Sequence, residues 1–414
     1  MKLFVLLPRV PYPIEKGDKL RAYHQLRYLS KKNEIILCAL NDIHLPEGTL
    51  EALKPYCSQI HVIRLSKLCI AWNILRAFLN GKPLQVGYFY SPRARKKIRD
   101  LIRAERPDHI YCQLIRVAEY VRDLALPKTL DYQDVFSKGV ERRIHTSPFY
   151  LRPVLKLEYK RLLNYEAAIF DHFDNKTIIS FPDRDLIPRP DREKIVVIPN
   201  GVDMGYFSPL GLDKDVDVVF IGNMGYPPNV RAAEFLARQI LPLVQRRFPH
   251  AKLVLAGANP HPRVQALASG SVHVTGWVED IRSWYARSRV FIAPMLIGTG
   301  LQNKLLEAMA MKIPCITSPL ANQALGAEDG TEILIGSTAE DFARHIIHLL
   351  EDPQKAEKMA HAGFLFVKRH FDWESATAKL EMLMKQSAVS SRQSAVGSRQ
   401  SAVGSQQSAV SSQQ

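Results

Sequence analysis

The feature that most constrains the fold of this chain is a regular alternation of short, continuous apolar runs with helical patterns. In the first half the runs are KLFVLLP, NEIILCAL, QIHVIRL, HIYCQLI, KTLDYQD, KTIIS and KIVVIPNG, and in the second half they are VDVVFIGN, AKLVLAGA, VHVTGWV, VFIAPM, PCITSP and EILIG. Strands that are apolar throughout are typical of parallel sheets covered by helices on both faces. The sequence therefore predicts an α/β protein with two doubly wound domains.

A segment rich in Gly, Pro and Asp, IPNGVDMGYFSPLGLDKDVD, separates the two series of strands. We therefore predict one Rossmann-like domain over residues 1–198 and a second over residues 199–367. Consecutive helical patterns follow Ser337, and a last helix is expected over residues 368–386. Residues 387–414 form a tandem seven-residue repeat of small and polar residues. This repeat offers no bulky apolar seam for a coiled coil and predicts a disordered tail.

The composition is that of a globular protein, with 46% hydrophobic and 23% charged residues among 414. The five cysteines are scattered singly, without metal-ligand or redox spacing. Such usage favours a reducing compartment, so we expect a cytoplasmic location and no metal. No apolar stretch approaches the length that a membrane-spanning helix needs.

A formal net charge of +15 indicates an anionic partner: a nucleic acid, an anionic lipid or a phosphorylated ligand. The densest basic segment, SPRARKKIRDLIRAERP, closely follows an apolar segment, LCIAWNILRAFLNGKP. An apolar helix beside a basic helix predicts a patch on the first domain that binds an anionic membrane surface. The alternative is that the apolar helix packs into the core and the basic helix is only solvated.

One segment, GTGLQNKLLEAMAMKIPCITSP, places glycines and charges at a helix start between two core strands. A helix beginning near Leu301 would direct its first amides toward an anion, and Gly300 would admit a ligand to the backbone. Asn303 or Lys304 lies one turn before Glu307, so these side chains share a face. Lys304 suits a phosphate and Glu307 suits a diol such as ribose. The alternative is a simple surface ion pair between Lys304 and Glu307.

Two other glycine-containing loops follow first strands. Gly17 precedes a helix after the first strand of the chain, where it could approach a phosphate or only form a turn. Gly222 ends the first strand of the second half, and Asn229 lies early in the helix that follows. In parallel sheets both loops belong to the edge where ligands bind.

Together these motifs resemble those of the family-4 glycosyltransferases. VIPNGVD, FIGNMGYPPNV, VHVTGWVEDIRSWYARSRVFIAPM and GLQNKLLEAMAMKIPCITSP occur in the order and spacing of that family. The chain most resembles the sugar transferases associated with PEP-CTERM/exosortase exopolysaccharide clusters, whose patterns are similar to GLQNKLLEAMA and, earlier, to LDYQDVFS. The resemblance covers about residues 1–385 and is strongest in the second half.

This resemblance implies a GT-B fold: two Rossmann-like domains facing a cleft, with C-terminal helices, the last crossing back to the first domain. It implies retaining transfer of a sugar from a nucleotide-sugar donor to a glycan or polyprenyl-linked acceptor, in exopolysaccharide or cell-surface polysaccharide synthesis. The nucleotide-sugar is a co-substrate, and neither a metal nor another cofactor is expected. A growing lipid-linked glycan would place the protein peripherally at the inner membrane face, and no nucleic-acid partner is expected.

The resemblance also implies roles for individual residues. Glu307 matches the second glutamate of the family's E-x₇-E element, which usually binds the donor ribose, and Thr299 stands where the first glutamate usually lies. Gln113 stands where many members have an active-site histidine. The implied catalytic residues are Lys304, Glu307 and Gln113. The implied donor-binding residues are Gly17, Gly222, Asn223, Asn229, Gly300, Leu301, Gln302, Asn303, Lys304 and Glu307.

The basic pair that the family carries after the first strand of its second domain is absent here. Asn223 holds the position of the arginine, and the position of the lysine falls near Asn229. Lys304 would then supply the charge that faces the donor phosphates.

Three alternatives remain open at this point. A non-catalytic nucleotide-sugar-binding subunit would be consistent with the replacements at Thr299 and Gln113. A nucleotide-sugar epimerase of the same fold would need acidic and histidine groups around the anomeric carbon, which these replacements disfavour. A nucleic-acid binder is suggested only by charge, without a recognised module.

Overall fold

The computed structural model describes residues 1–14, 16–297, 300–390 and 393. It divides into two compact units, one made of Met1–Ile198 with the chain from Thr377 onward, the other of Pro199–Ala376. Each unit contains one parallel sheet and its own apolar core.

The first unit is built on a seven-stranded parallel sheet in the order β3-β2-β1-β4-β5-β6-β7. Its strands are β1 (Lys2–Leu7), β2 (Glu34–Asn41), β3 (Gln59–Arg64), β4 (His109–Gln113), β5 (Lys128–Gln133), β6 (Asn175–Ile178) and β7 (Val196–Val197). In the central register, Leu3 pairs with Ile35 on one side and with His109 on the other. Every residue of β4 and β5 is buried, as both faces of the sheet are covered.

The helices of the first unit connect these strands in the right order for doubly wound crossovers. They are α1 (Gly17–Leu29), α2 (Lys67–Leu79), α3 (Leu84–Phe89), α4 (Pro92–Glu105), α5 (Phe136–Thr146), α6 (Arg152–Ile169) and α7 (Phe181–Asp185). A short 3₁₀ segment, Ile115–Tyr120, follows β4, and another, Phe149–Leu151, precedes α6. Serines cap α2 and α4: the hydroxyl of Ser66 accepts from the amide of Cys69, and that of Ser91 from the amide of Ala94.

The second unit is built on a six-stranded parallel sheet in the order β10-β9-β8-β11-β12-β13. Its strands are β8 (Val216–Ile221), β9 (Leu253–Ala256), β10 (Val272–Gly276), β11 (Ser288–Ala293), β12 (Cys315–Thr317) and β13 (Leu334–Ile335). All thirteen apolar runs singled out in the sequence form strands of the two parallel sheets, which confirms the predicted α/β class.

The helices of the second unit cover this sheet and then continue into a helical C-terminal region. They are α8 (Pro227–Phe235), α9 (Leu241–Gln245), α10 (Pro262–Gln265), α11 (Arg282–Ala286), α12 (Asn303–Ala310), α13 (Pro319–Leu325), α14 (Ala339–Glu351) and α15 (Pro353–His370). A π-helical segment, Leu236–Ile240, joins α8 to α9. Thr338 and Asp341 form a capping box at the start of α14, as S/T-x-x-D spacing predicts.

The second unit ends at Ala376, later than the predicted boundary at residue 367. The boundary lies later because the first residues of the second unit contact the chain beyond residue 367: the amide of Val202 donates to the carbonyl of Phe371 at 2.8 Å. A Cβ on Gly201 would lie 2.5 Å from the backbone nitrogen of Trp373. This close approach keeps the chain around Trp373 with the second unit.

The last described helix, α16, spans residues 373–390, with Asp372 capping it through the amide of Ser375 at 2.8 Å. From Thr377 it belongs to the first unit, where Glu381 accepts a hydrogen bond from Asn33 at 3.0 Å. The expected disordered tail began at residue 387, but residues 387–390 are helical. Buried contacts explain this difference, because Ala388 is buried and the hydroxyl of Ser387 accepts from Asn175 at 3.0 Å. The repeat beyond Ser390, except residue 393, lies outside the described residues.

None of the helices in the described ranges combines the length and the apolar character that crossing a membrane requires.

Candidate functional site

The site in the second unit lies where β8, β9 and β11 end, on one edge of the parallel sheet. β8 is flanked by β9 and β11, so the loops after these three strands meet there. Gly222 follows β8, Gly257 follows β9 and Met295 follows β11. Ligands of open α/β sheets bind outside such carboxyl ends, most often where the strand order reverses.

Two glycines let the backbone turns at this edge come close together. A Cβ on Gly257 would lie 2.0 Å from the carbonyl oxygen of Gly222, and Gly257 has a φ of +137°, which favours glycine. A Cβ on Gly222 would lie 2.7 Å from the Asn229 amide nitrogen and 3.3 Å from Lys304 Nζ. Gly222 therefore borders both of the side chains that the sequence predicted on this edge.

Lys304 occupies a specific position against β8 and α8. Its Nζ donates to Oδ1 of Asn229 at 2.6 Å and lies 4.8 Å from the centre of the Phe220 ring. Met295 Sδ is 3.9 Å from the same nitrogen. Within the described residues no carboxylate oxygen lies within 4.0 Å of Nζ. When protonated, Lys304 therefore meets a dipole and an aromatic ring, but no carboxylate in contact among the described residues.

Asn229 is held in the orientation that Lys304 needs. Its amide nitrogen donates to the carbonyl of Asn223 at 2.9 Å, so its oxygen faces Nζ. The Asn223 side chain is exposed, and its Oδ1 accepts from the amide of Gly225 at 3.0 Å. The structure brings Asn223, Asn229 and Gly222 together with Lys304.

Glu307 has a different partner from Lys304. Its Oε2 accepts a hydrogen bond from the hydroxyl of Tyr285 at 2.8 Å, and Tyr285 is fully buried. The Tyr285 ring packs against Phe291, with ring centres 5.5 Å apart. The alternative of a surface ion pair between Lys304 and Glu307 is therefore wrong, because the two side chains leave the helix toward separate partners.

Burial perturbs both ionisable groups. Loss of hydration lowers the pKa of Lys304 to about 7, and the charge of Glu307 only partly opposes this change. Loss of hydration likewise raises the pKa of Glu307, while the hydrogen bond from Tyr285 and the charge of Lys304 act in the opposite direction. Perturbed groups of this kind, gathered at a ligand-binding edge, are characteristic of functional sites.

The helix that carries both residues begins later than predicted. α12 starts at Asn303 rather than near Leu301, and Gln302 stands at its N-cap without a side-chain cap bond. The Gln302 amide instead donates to the carbonyl of Gly300 at 2.8 Å, which holds the preceding turn. The side chain of Leu301 packs against the apolar core. The amide of Leu305, the third residue of α12, donates to the carbonyl of Gln302 at 2.9 Å, so the amides before it are the ones suited to an anion.

Asn303, at the first position of α12, is tied to the start of the second unit. Its Oδ1 accepts a hydrogen bond from the side chain of Asn200 at 3.3 Å, and Asn200 is buried. This contact orients Asn303 and accounts for part of the IPNG motif. Gly298 and Thr299, the first two residues of the segment that carries these candidates, lie outside the described residues.

The chemical capacity of this edge follows from its parts. One cation without a contacting carboxylate, a set of helix amides and two glycines can accommodate a diphosphate. A carboxylate fixed by a tyrosine hydroxyl can accept hydrogen bonds from vicinal hydroxyls. The described residues contain no group of His, Cys, Asp and Glu side chains arranged to hold a metal ion.

In the first unit, the structure places Gln113 at the end of β4 and Gly17 at the start of α1. Gly17 is the first residue of α1, and a Cβ there would meet nothing within 4 Å. Gln113 is only 2% exposed, and its amide nitrogen donates to the carbonyl of Asp18 at 3.2 Å. The Gln113 amide thus contacts the first turn of α1, and its catalytic role stays a prediction.

A buried ion pair organises the same edge beneath these residues. Nε of Arg21 donates to Oδ2 of Asp131 at 2.6 Å, and both side chains are fully buried. Asp131 also accepts from Tyr111 at 2.8 Å and from Thr177 at 2.9 Å. Burying a pair is affordable only when further hydrogen bonds satisfy it, as here. Asp131, the first aspartate of LDYQDVFS, therefore has a structural role as the partner of Arg21.

Sequence reasoning missed three residues at these edges. Tyr285 orients Glu307 and Phe220 lies under Lys304, but neither has a local signal because each partner is distant in sequence. Gly257, in LVLAGA, follows a strand like Gly222 and could have been found by the same pattern.

Gln133, at the end of β5, is a further candidate in the first unit. It has a φ of +61°, which is uncommon for a residue with a side chain. It is buried, and its amide nitrogen has no hydrogen-bond acceptor within the described chain. A strained residue with an unsatisfied donor at a ligand-binding edge is a candidate for substrate contact.

Comparison with known proteins finds a family match within the second unit. Residues 215–352 match the model of the family described as glycosyl transferases group 1. An uncharacterised 44.6 kDa protein from the cps region of Klebsiella pneumoniae is 24% identical over 401 residues, which cover 90% of this chain and 96% of that protein.

Solved structures show the same fold at low sequence identity. Sucrose-phosphate synthase from Thermosynechococcus elongatus superposes with a TM-score of 0.67 at 16% identity, covering 93% of this chain and 99% of the other. HepE from Anabaena, solved in complex with UDP-glucose, superposes with a TM-score of 0.64 at 14% identity, covering 93% and 99%. The fold is therefore GT-B, as the resemblance implied.

Proposed function

We propose that this chain, a glycosyltransferase of GT-B type with a glycosyl transferases group 1 domain over residues 215–352, transfers a sugar from a nucleotide-sugar donor with retention of anomeric configuration. The proposed acceptor is a glycan or polyprenyl-linked glycan in exopolysaccharide or cell-surface polysaccharide synthesis. The origin of the Klebsiella relative in a cps region supports the polysaccharide context.

The donor assignment rests on one observation. At one sheet edge, Lys304 is hydrogen-bonded to Asn229 and Glu307 to Tyr285, so the two charged groups do not pair with each other. Lys304 Nζ, bonded to Asn229 at 2.6 Å, faces the diphosphate and stabilises charge that grows on it as the sugar leaves. Glu307, held by Tyr285 at 2.8 Å, accepts hydrogen bonds from the ribose hydroxyls. HepE, a structural neighbour, binds UDP-glucose, which supports a nucleotide-sugar as the donor.

In this proposal no metal takes part in the transfer. The Lys304 ammonium and the first amides of α12 provide the positive potential that the leaving diphosphate needs. The acceptor hydroxyl attacks from the face that the diphosphate leaves, and a phosphate oxygen takes its proton. Gly17 and the strained Gln133 of the first unit are the proposed contacts for the other substrate groups.

The test is donor binding and transfer in wild type and Glu307→Gln. Glutamine keeps the shape of the side chain and still accepts the hydrogen bond from Tyr285, so the fold should persist. UDP-, GDP- and ADP-sugars are compared by calorimetry, and turnover is followed with a lipid-linked acceptor. Glu340→Gln, which changes an exposed glutamate on α14, is the matched control.

We expect Glu307→Gln to bind the preferred donor about tenfold or more weakly, while Glu340→Gln behaves as wild type. NMR of the product reports the anomeric configuration. Wild type that binds none of these sugar nucleotides would contradict the proposed function, and equal donor affinity in Glu307→Gln would contradict the role of Glu307.

We further propose that the first unit docks peripherally on the inner face of the cytoplasmic membrane. The α2 apolar face, defined as Leu68, Trp72, Leu75 and Leu79, is exposed: Trp72 is 66% and Leu79 is 74% accessible. The helix buries its other side through Ile70, Asn73 and Ala77, so the view that α2 packs entirely into the core is wrong.

Exposed cations lie on the neighbouring helix. Arg161 of α6 donates to the carbonyl of Phe78 at 2.9 Å and covers the Phe78 ring at 5.1 Å, which joins α6 to α2. Arg152, Lys156 and Lys160 of α6 are exposed. Apolar side chains beside cations suit the boundary between anionic headgroups and acyl chains.

A further inference from the structure

Two arginines of the first unit share one aromatic ring. The guanidinium carbon of Arg9 lies 5.6 Å from the centre of the Phe89 ring, and that of Arg116 lies 5.5 Å from the same centre. Arg116 also covers Phe136 at 4.3 Å. Stacking on aromatic rings fixes both guanidinium groups while leaving their edges available for hydrogen bonds.

The charges of this pair are unequally compensated. Arg9 donates to Oδ2 of Asp18 at 2.8 Å and keeps 28% of its side chain exposed. Nε and Nη2 of Arg116 both donate to the neutral Oε1 of Gln85, at 3.2 and 2.6 Å. In the described chain no carboxylate forms an ion pair with Arg116, and its Nη1 has no protein acceptor. The guanidinium groups of Arg9 and Arg116 thus have one carboxylate in contact, that of Asp18, among the described residues.

Such an arrangement costs free energy unless an anion completes it. Arg116 is half-buried, and loss of hydration, followed by repulsion from Arg9, lowers its pKa to about 10. The charges of Asp18 and Asp134 only partly oppose this change. An oxyanion between the two guanidinium groups would relieve both the desolvation and the repulsion.

The pair lies at the edge of the sheet where ligands bind. Arg9 follows β1 and Arg116 follows β4, and these strands are neighbours at the point where the strand order reverses. Leu114, between β4 and Arg116, has a φ of +66°, a strained value for a leucine. This turn immediately precedes the Ile115–Tyr120 segment, which carries Arg116.

We propose that Arg9 and Arg116 bind an oxyanion carried by the acceptor substrate. This inference rests on the proposed function and narrows its acceptor class to molecules with a phosphate or carboxylate group. A forked guanidinium matches the oxygens of either group, and the two sources are the phosphate linker of a lipid-linked acceptor and the carboxylate of an acidic sugar.

The test measures binding of four probes to the full-length protein by calorimetry at low and moderate salt. Geranyl diphosphate represents the lipid linker and glucuronate the acidic sugar, with geraniol and glucose as neutral counterparts. Saturating UDP is present throughout, so that the Lys304 site is occupied. Wild type is compared with Arg116→Gln, Arg9→Gln and Arg116→Lys. Arg122→Gln is the matched control, because Arg122 lies just after the same 3₁₀ segment but is paired with Glu119 at 3.1 Å.

We expect one anionic probe to bind wild type and Arg122→Gln equally, and to bind Arg116→Gln and Arg9→Gln roughly tenfold or more weakly. Arg116→Lys should fall between them, because it keeps the charge and loses the fork. Binding of geranyl diphosphate assigns the anion to a lipid linker, and binding of glucuronate assigns it to an acidic sugar.

The inference is overturned if neither anion binds wild type, or if folded Arg116→Gln and Arg9→Gln bind it as tightly as wild type does. These outcomes differ from the result that would contradict the proposed function, because in that case wild type would bind no sugar-nucleotide. UDP affinity in each variant confirms that the second unit is intact.

Discussion

Nζ of Lys304 and Oδ1 of Asn229 are joined by a 2.6 Å hydrogen bond beside Gly222, and this bond connects the start of α12 to the start of α8. The lysine is thereby directed toward the ends of the parallel strands and away from Glu307, one turn along its own helix. Its charge is consequently available to a ligand at the carboxyl edge of the sheet.

The first prediction concerns the charge of Lys304. Lys304→Met should weaken nucleoside diphosphate binding by about 1.5–3 kcal/mol while changing nucleoside binding much less, because only the diphosphate meets the ammonium. Calorimetry with both ligands measures the difference. Lys252→Met, at an exposed lysine of the same unit, is the control. Equal losses for the two ligands would argue against a phosphate contact.

The second prediction concerns pH. The pKa of Lys304 is lowered to about 7 in the folded protein from 10.5, and Glu307 is the charged group that opposes the shift. Between these values the unfolded chain binds the additional proton, so this residue makes stability increase as pH rises from about 7 toward 10.5. Apo wild type should therefore gain melting temperature relative to Lys304→Met over that interval. A constant difference between the two proteins would contradict the shift.

The third prediction concerns the space beside Gly222. Gly222→Ala would place a methyl group 2.7 Å from the Asn229 amide and 3.3 Å from Lys304 Nζ, so one of these side chains must move. We expect a stability loss of roughly 1–3 kcal/mol and weaker sugar-nucleotide binding. Gly270→Ala is the matched control, because a Cβ there meets nothing within 4 Å. Unchanged donor affinity in Gly222→Ala would show that the Lys304–Asn229 bond is not needed.

The fourth prediction concerns the α2 apolar face. Wild type should sediment with anionic vesicles at low salt and be released by high salt, and Trp72→Ser combined with Leu79→Ser should not sediment. Leu365→Ser changes a leucine of the other unit that is also exposed and serves as the control. Equal sedimentation of the double variant and wild type would rule out this face.

The same sedimentation experiment tests the basic segment of α4, which would bind the vesicles through charge alone. Arg95 and Arg99 are both paired with Asp123, so part of its charge is already compensated. Changing Arg95, Lys96, Lys97 and Arg99 to Ser should reduce binding at low salt, since each exposed cation near an anionic surface contributes about 1 kcal/mol. Full binding by this variant would show that the charges of α4 are not needed for docking.

The fifth prediction concerns the end of the chain. A chain ending at Ser390 should match the full-length protein in activity and melting temperature, because the repeat that follows cannot bury a core. A chain ending at Gln386 should melt lower, since it loses the buried Ala388 and the hydrogen bond from Asn175 to Ser387, worth about 1 kcal/mol. Identical melting of the two truncated chains would show that residues 387–390 stabilise nothing.

Much of the fold followed from local patterns. The runs that became β1 to β13 were recognisable because most of them are short and rich in apolar, β-branched or aromatic residues, a property of the segment itself. Capping of α14 by Thr338 and of α16 by Asp372 is likewise a local feature, because a cap and its helix are adjacent in sequence. The start of α12 was misplaced, because the turn around Gly300 and Gln302 is held by one bond that local propensity does not predict.

The sequence by itself determined the two parallel sheets, the edge on which ligands bind and the residue types gathered there, since strand periodicity and the Gly–helix pattern are local. Only the tertiary structure decided which groups those residues meet. Asn229 and Lys304 are separated by 75 positions, and Tyr285 and Glu307 by 22. The pairing of Arg9 and Arg116 on one ring likewise depends on β1 lying beside β4. Such contacts arise from packing between elements, and they set the hydration and pKa of each group, which no single segment encodes.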